Sequence, residues 1–125
     1  MSITHSVDHG RRELVATASG PVSYEEVRTH LFVERREGGL SYPELIDARS
    51  ATPTWSTAEA RELVALLKAF GRESALGPTG VVVSSELAYG MLRMLEIMVE
   101  DVCIIRPFRD YAAAKQWFQD LPRNA

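Results

Sequence analysis

Three consecutive valines, Val81 to Val83, stand between a Gly77-Pro78 break and the hydroxyl pair Ser84-Ser85. An uninterrupted β-branched run of that length suits a strand buried on both faces, so the spacing predicts a strand over Thr79 to Ser84 in the interior of a sheet. Pro43 to Ala48 is also short and apolar at its centre, and Val102 to Pro107 supplies a third such run. Each is separated from the next by a longer segment of helical period, which implies parallel neighbours joined by right-handed crossovers.

The helices announce themselves by their first turns. Ser23 with Glu26 and Ser56 with Glu59 both have the reciprocal capping-box spacing, in which each side chain satisfies a free backbone N–H. After Ser23, Tyr24, Val27 and Leu31 share a face, and Gly38-Gly39 ends the helix. After Ser56 the stripe is Ala60, Leu63, Val64, Leu67 and Phe70. Leu87, Met91, Met94, Leu95 and Met98 are expected to point inward from the third helix, with Arg93, Glu96 and Glu100 outward. Asp110 caps a closing helix with the stripe Tyr111, Ala114, Trp117, Phe118 and Leu121. Ahead of them, Ile3 to His9 and Glu13 to Ser19 read as a hairpin around Asp8-His9-Gly10-Arg11, with glycine supplying positive φ. Arg49 to Trp55 reads as a polar linker. The expectation is therefore an α/β fold in the order ββαβαβαβα, a mixed sheet of four to five strands, forming a single domain over residues 1–125.

The 125 residues suffice for one core, and 46% apolar with 25% charged residues is ordinary globular composition. Fourteen basic against seventeen acidic residues leave a charge of −3, a field that repels a phosphate backbone and argues against nucleic acid as a partner. Cys103 has no second cysteine to pair with, which fits a reducing compartment. Met1 to Gly10 lacks the basic and apolar regions of a secretory signal, and nowhere do about eighteen apolar residues run together. A cytoplasmic protein without a membrane span is expected.

Catalytic groupings are scarce. His5 and His9 could share a face of the first strand and His30 stands apart, so no metal site and no cofactor are expected. No histidine follows the first helix to serve a serine or cysteine nucleophile, and Gly71 to Gly80 has neither phosphate-loop spacing. Asp47 is the one carboxylate placed at a strand end. Ser84 and Ser85 lie where a strand's carboxyl end meets a helix's amino end, a position that favours an anion. Trp55, Ser56 and Thr57 occupy the equivalent junction one unit earlier, where a phosphate could be stabilised or could block docking.

The segment Val81-Val-Val-Ser-Ser-Glu-Leu-Ala-Tyr-Gly-Met-Leu-Arg-Met-Leu-Glu96, followed by an apolar strand and Phe108-Arg-Asp-Tyr-Ala-Ala-Ala-Lys-Gln-Trp117, resembles the SpoIIAA-like, or STAS-like, group of small bacterial proteins. Over the first two thirds of the chain the resemblance is in element order alone. It implies a sheet of four or five strands covered by helices, related in shape to anti-sigma-factor antagonists and Sec14-type lipid carriers. In the antagonists a serine opening the helix after the central strand is phosphorylated within an Asp-Ser-Ser-Gly type motif. The corresponding stretch is Thr54-Trp55-Ser56-Thr57, which departs from the motif in lacking that aspartate and glycine; the position matching the motif serine, Ser56, is the phosphorylation candidate the resemblance implies. A non-catalytic regulatory module binding a protein, with homodimerisation open to it, is the leading expectation. The alternative is a carrier of a lipid or other small molecule, motivated by the Met-rich third helix beside Ser84, Ser85 and Tyr89, with Arg93 a further ligand or partner candidate; an enzyme of unknown class is third. A cavity between that helix and the sheet would favour the carrier, a solid interior the module.

Overall fold

The chain forms one five-stranded sheet in the spatial order β1-β2-β3-β4-β5, with β1 (Ile3–Asp8) antiparallel to β2 (Glu13–Val22) and the rest parallel. The structure is a computed structural model that describes residues 2–123; the outermost residues of the expected 1–125 span lie outside the described residues. β3 is Glu44–Pro53, β4 Thr79–Val82 and β5 Ile105–Phe108. The helices are α1 (Tyr24–Arg36), α2 (Thr57–Glu73), α3 (Glu86–Met98) and α4 (Tyr111–Asp120). This is the expected α/β order ββαβαβαβα, with β4 paired on both sides.

Strand order that follows chain order has a direct consequence. Each right-handed crossover steps the same way across the sheet, so α1, α2 and α3 must fall on one face. Tyr24 of α1, Leu63, Val64 and Leu67 of α2, and Leu95 and Val99 at α3 accordingly share one core cluster. α4 has no further strand to reach and folds over the opposite face, where Ala114 and Phe118 pack on Leu45 and Val82.

The capping boxes are both formed, Ser23 with Glu26 and Ser56 with Glu59, and the inward stripe of α2 is the expected one. Gly38 takes the left-handed conformation past α1, at φ 77°. In the hairpin turn the positive φ belongs to Arg12, at 54°, and not to Gly10, because the Asp8 carboxylate accepts from Arg11 N–H and tightens the turn one residue earlier.

Three expectations are corrected. Arg49 to Pro53 is the second half of β3 and no linker; after a register shift between Thr17 and Ser19, Ser50 to Pro53 pair with Ser19 to Val22, so a distant backbone and not local polarity decides the segment. Val102 and Cys103 precede β5, since the α3 carboxyl end holds them through N–H bonds to Val99. On α3 the buried positions are Ala88 and Leu95, with Val99 next, while Leu87, Met94 and Met98 are exposed. Two apolar stripes lie one residue apart on this helix, and the one containing Ala88 wins because a methyl side chain lets α3 sit close over Ala18 and Ala48.

Candidate functional site

Alternation along β2 and β3 puts Leu14, Ala16 and Ala18, and Glu44, Ile46 and Ala48, on the face under α1 to α3. Short side chains at this level cannot fill the layer. A cavity of about 190 Å³ remains between the sheet and the helices, bordered by Ala18, Ala48, Ala51, Val81, Ala88 and Leu92.

One end of the cavity is polar. The inward stripe of α1 that begins at Tyr24 and Val27 continues through His30 to Glu34, one helical turn on, and meets Glu44 at the amino end of β3. His30, Glu34 and Glu44 are 8%, 1% and 5% exposed. His30 Nε2 lies 3.1 Å from Glu34 Oε2 and 3.2 Å from Glu44 Oε2. Its hydrogen bond goes to Glu44, leaving Glu34 Oε2 buried without a hydrogen-bond partner. The ring of His5 stands edge-on to that of His30, centroids 4.9 Å apart, and His5 Nε2 bonds Glu37 Oε1 at 2.6 Å.

Burial alone would lower the His30 pKa, but the adjoining carboxyl groups of Glu34 and Glu44 outweigh it and push it up to about 10. Burial, then sharing with Glu44, pushes Glu34 up to about 9 against the opposing pull of His30. For Glu44 burial acts upward, yet the hydrogen bonds of Glu34 and His30 hold it below the usual carboxylate value. At neutral pH the cluster therefore holds an imidazolium, one carboxylate and one carboxylic acid, with no net charge.

The candidates named from sequence lie mostly at the opposite, carboxyl edge of the parallel strands, where the helices begin. Asp47, on the α4 side of β3, accepts from Arg49 Nε at 2.9 Å and Nη2 at 2.8 Å, and these bonds hold its carboxyl low. Ser84 donates to the Arg49 carbonyl, and Ser85 Oγ caps α3 by accepting from Ala88 N–H at 3.1 Å. Ser56 Oγ accepts from Glu59 N–H at 3.1 Å, and Thr57 is the exposed first residue of α2. Trp55 Nε1 donates to the Val22 carbonyl at 3.1 Å while its ring borders the cavity. The Tyr89 ring carries the Arg109 guanidinium at 3.7 Å, and Arg93 pairs with Glu96 at 2.6 Å. Asp47, Ser56, Ser84 and Tyr89 do not converge on the cavity.

Sequence reasoning left His30 as isolated and passed over Glu34 and Glu44. The available signal was the i, i+4 spacing of His30 and Glu34 beside Leu31, and the parity of Glu44 with Ile46 and Ala48. Nothing local says that a glutamate on such a stripe stays buried. His9 instead reaches Tyr42, Nδ1 to hydroxyl 2.7 Å. Among the described residues no helix is long and apolar enough to cross a membrane.

No protein-family model and no curated protein matches this chain. It is similar in structure to an uncharacterized protein of the DUF3478 family with a SpoIIAA-like fold, from Shewanella loihica PV-4. The TM-score is 0.61 over 94% of each chain, at 19% sequence identity. The likeness establishes a SpoIIAA-like fold, as the resemblance in sequence led one to expect.

Proposed function

We propose that this chain is a non-catalytic binding module that takes up a small, mainly apolar molecule in the cavity beneath α3. The cavity itself carries the reading. An apolar void of about 150 Å³ is large enough to admit a benzene-sized guest, and voids of that size are uncommon in a packed core. The space here, about 190 Å³, accommodates a molecule of one or two rings but not a two-chain lipid. Retention of the void is costly, since each unfilled volume forfeits dispersion contacts along its walls. Native mass spectrometry of gently purified protein should show an adduct that organic extraction removes. In addition, indole titrated into the protein should shift the methyl resonances of Ala18, Ala48 and Ala88 saturably. A clean apo mass with no saturable shift defeats the reading.

A second reading rests on a separate observation. Leu87 and Met94 are exposed on α3 with Met98, on one face with the half-buried Met91, and Ile97 and Ile104 stand beside them. Leu87 is 67% and Ile97 59% exposed. Such a ridge supports docking of a protein partner, a second copy of this chain included. Sedimentation at several concentrations, with and without Met94→Glu, tests the self-association arm. Ser56 keeps its place as the phosphorylation candidate on this reading, because it is exposed at the start of α2, and phosphopeptide mapping is the direct check. The lone Cys103, with no second cysteine to pair with, fits action in a reducing compartment such as the cytoplasm.

A further inference from the structure

His30, Glu34 and Glu44 come from two elements, yet each offers one ligand atom and those atoms lie within 4.8 Å of one another. Bonds of about 2.0–2.2 Å to nitrogen and oxygen separate tetrahedral ligands by roughly 3.3–3.5 Å. The spacings from His30 Nε2, 3.1 and 3.2 Å, already approach such edges. The scaffold is firm: His30 and Glu34 stand one turn apart on α1, and Glu44 N–H is tied to the Pro78 carbonyl at 2.9 Å.

The state of Glu34 supports the same reading. Glu34 Oε2 is sealed from solvent and receives no hydrogen bond, its neighbour His30 Nε2 at 3.1 Å being engaged with Glu44, and native interiors rarely keep a buried carboxylate oxygen that way without a ligand or a bridging atom. The charge balance also fits. A neutral imidazole, two carboxylates and one divalent cation sum to zero, so the ion would sit in the interior without a net buried charge. The donor set selects the ion class. Calcium and magnesium require six or more oxygens or retained waters, whereas one nitrogen with two carboxylate oxygens suits a divalent ion of the zinc type. All three side chains border the cavity. His5, anchored by Glu37, packs edge-on against the His30 ring.

The geometry points to a binding site for one divalent transition-metal ion, held by His30 Nε2, Glu34 and Glu44, at the polar end of the cavity. The site goes beyond the uptake of an apolar molecule and does not depend on it.

Zinc chloride titrated calorimetrically into the full chain after dialysis against chelator should bind at one equivalent. Native mass spectrometry should show a single zinc retained through desalting. Glu34→Gln, which keeps the side-chain shape, should weaken binding at least tenfold. On the unaltered protein, zinc should move the His30 ring nitrogen resonances and leave those of His9 in place, a measurement that decides the matter if the variant fails to fold. Zinc lost on desalting, or bound equally well by Glu34→Gln, or perturbing only His5 and His9, overturns the site. Indole binding to the metal-free chain is read separately, so failure of the metal site and failure of the cavity reading are distinguishable.

Discussion

At Glu34 a single carboxyl group is enclosed at 1% exposure, and burial pushes its pKa up to about 9, so in the metal-free chain it keeps a proton at neutral pH. The same proton makes stability depend on pH. His30 and Glu34 have folded pKa values above their unfolded ones, about 10 against 6.5 and about 9 against 4.5, so the folded chain binds more protons over those windows. Their contribution is complete below the unfolded values and is lost as pH rises through the folded ones. Glu44 is depressed and acts in the opposite sense, its contribution fading as pH falls below the ordinary carboxylate range. The metal-free chain should therefore melt at progressively lower temperature between about pH 7 and about pH 10. Glu34→Gln, whose amide does not titrate, should show a shallower decline in the same scans. Backbone proximity sets a second residue-scale limit. A Cβ on Gly77 would run into the carbonyl oxygen of Tyr42, and the Gly77 N–H is committed to Leu40 at 2.8 Å. Gly77→Ala should cost about 1–3 kcal/mol in urea unfolding.

The capping box of α2 and the two faces of α3 show what single elements decide. Ser56 holds Glu59 N–H and Glu59 in turn holds Ser56 N–H, so Ser56→Ala should cost about 1 kcal/mol by urea unfolding. Ser56→Asp keeps a competent cap and places negative charge at the positive end of the helix, so stability should change little. Altered partner capture by that variant, at unchanged melting temperature, is the expected mark of a regulatory serine. On α3 the contrast is between faces. Leu95 is 1% exposed beneath the helix, and Leu95→Ala should cost about 2–5 kcal/mol. Leu87→Glu, on the outer ridge, should stay within about 0.5 kcal/mol while abolishing any docking there. Periodicity could not choose between these faces, because stripes starting at Leu87 and at Ala88 repeat with the same spacing. The capping boxes, by contrast, were legible because every atom they need lies within four residues.

Across the whole molecule the three crossover helices are committed to one side of the sheet, and α4 alone covers Leu45 and Val82 on the other. Its anchor Phe118 is 5% exposed, and Phe118→Ala should cost about 3–5 kcal/mol, measured by urea unfolding. On the cavity side the balance runs the other way. Ala48→Val adds two methyl groups where space is free, and should raise stability by about 1 kcal/mol while excluding indole, a trade between packing and binding. Element order, helix starts, the α2 stripe and the interior position of Val81 and Val82 were determined by sequence alone, since each depends on neighbours along the chain or on a period repeated many times. Only the tertiary structure decided that Arg49 to Pro53 extends β3, which face of α3 turns inward, and that His30, Glu34 and Glu44 meet. Those outcomes depend on which distant backbone supplies a hydrogen bond and on how closely two surfaces approach. For the buried glutamates, the deciding facts are burial and the approach of Glu44 to His30 and Glu34 from another element, which the local i, i+4 spacing of His30 and Glu34 does not encode.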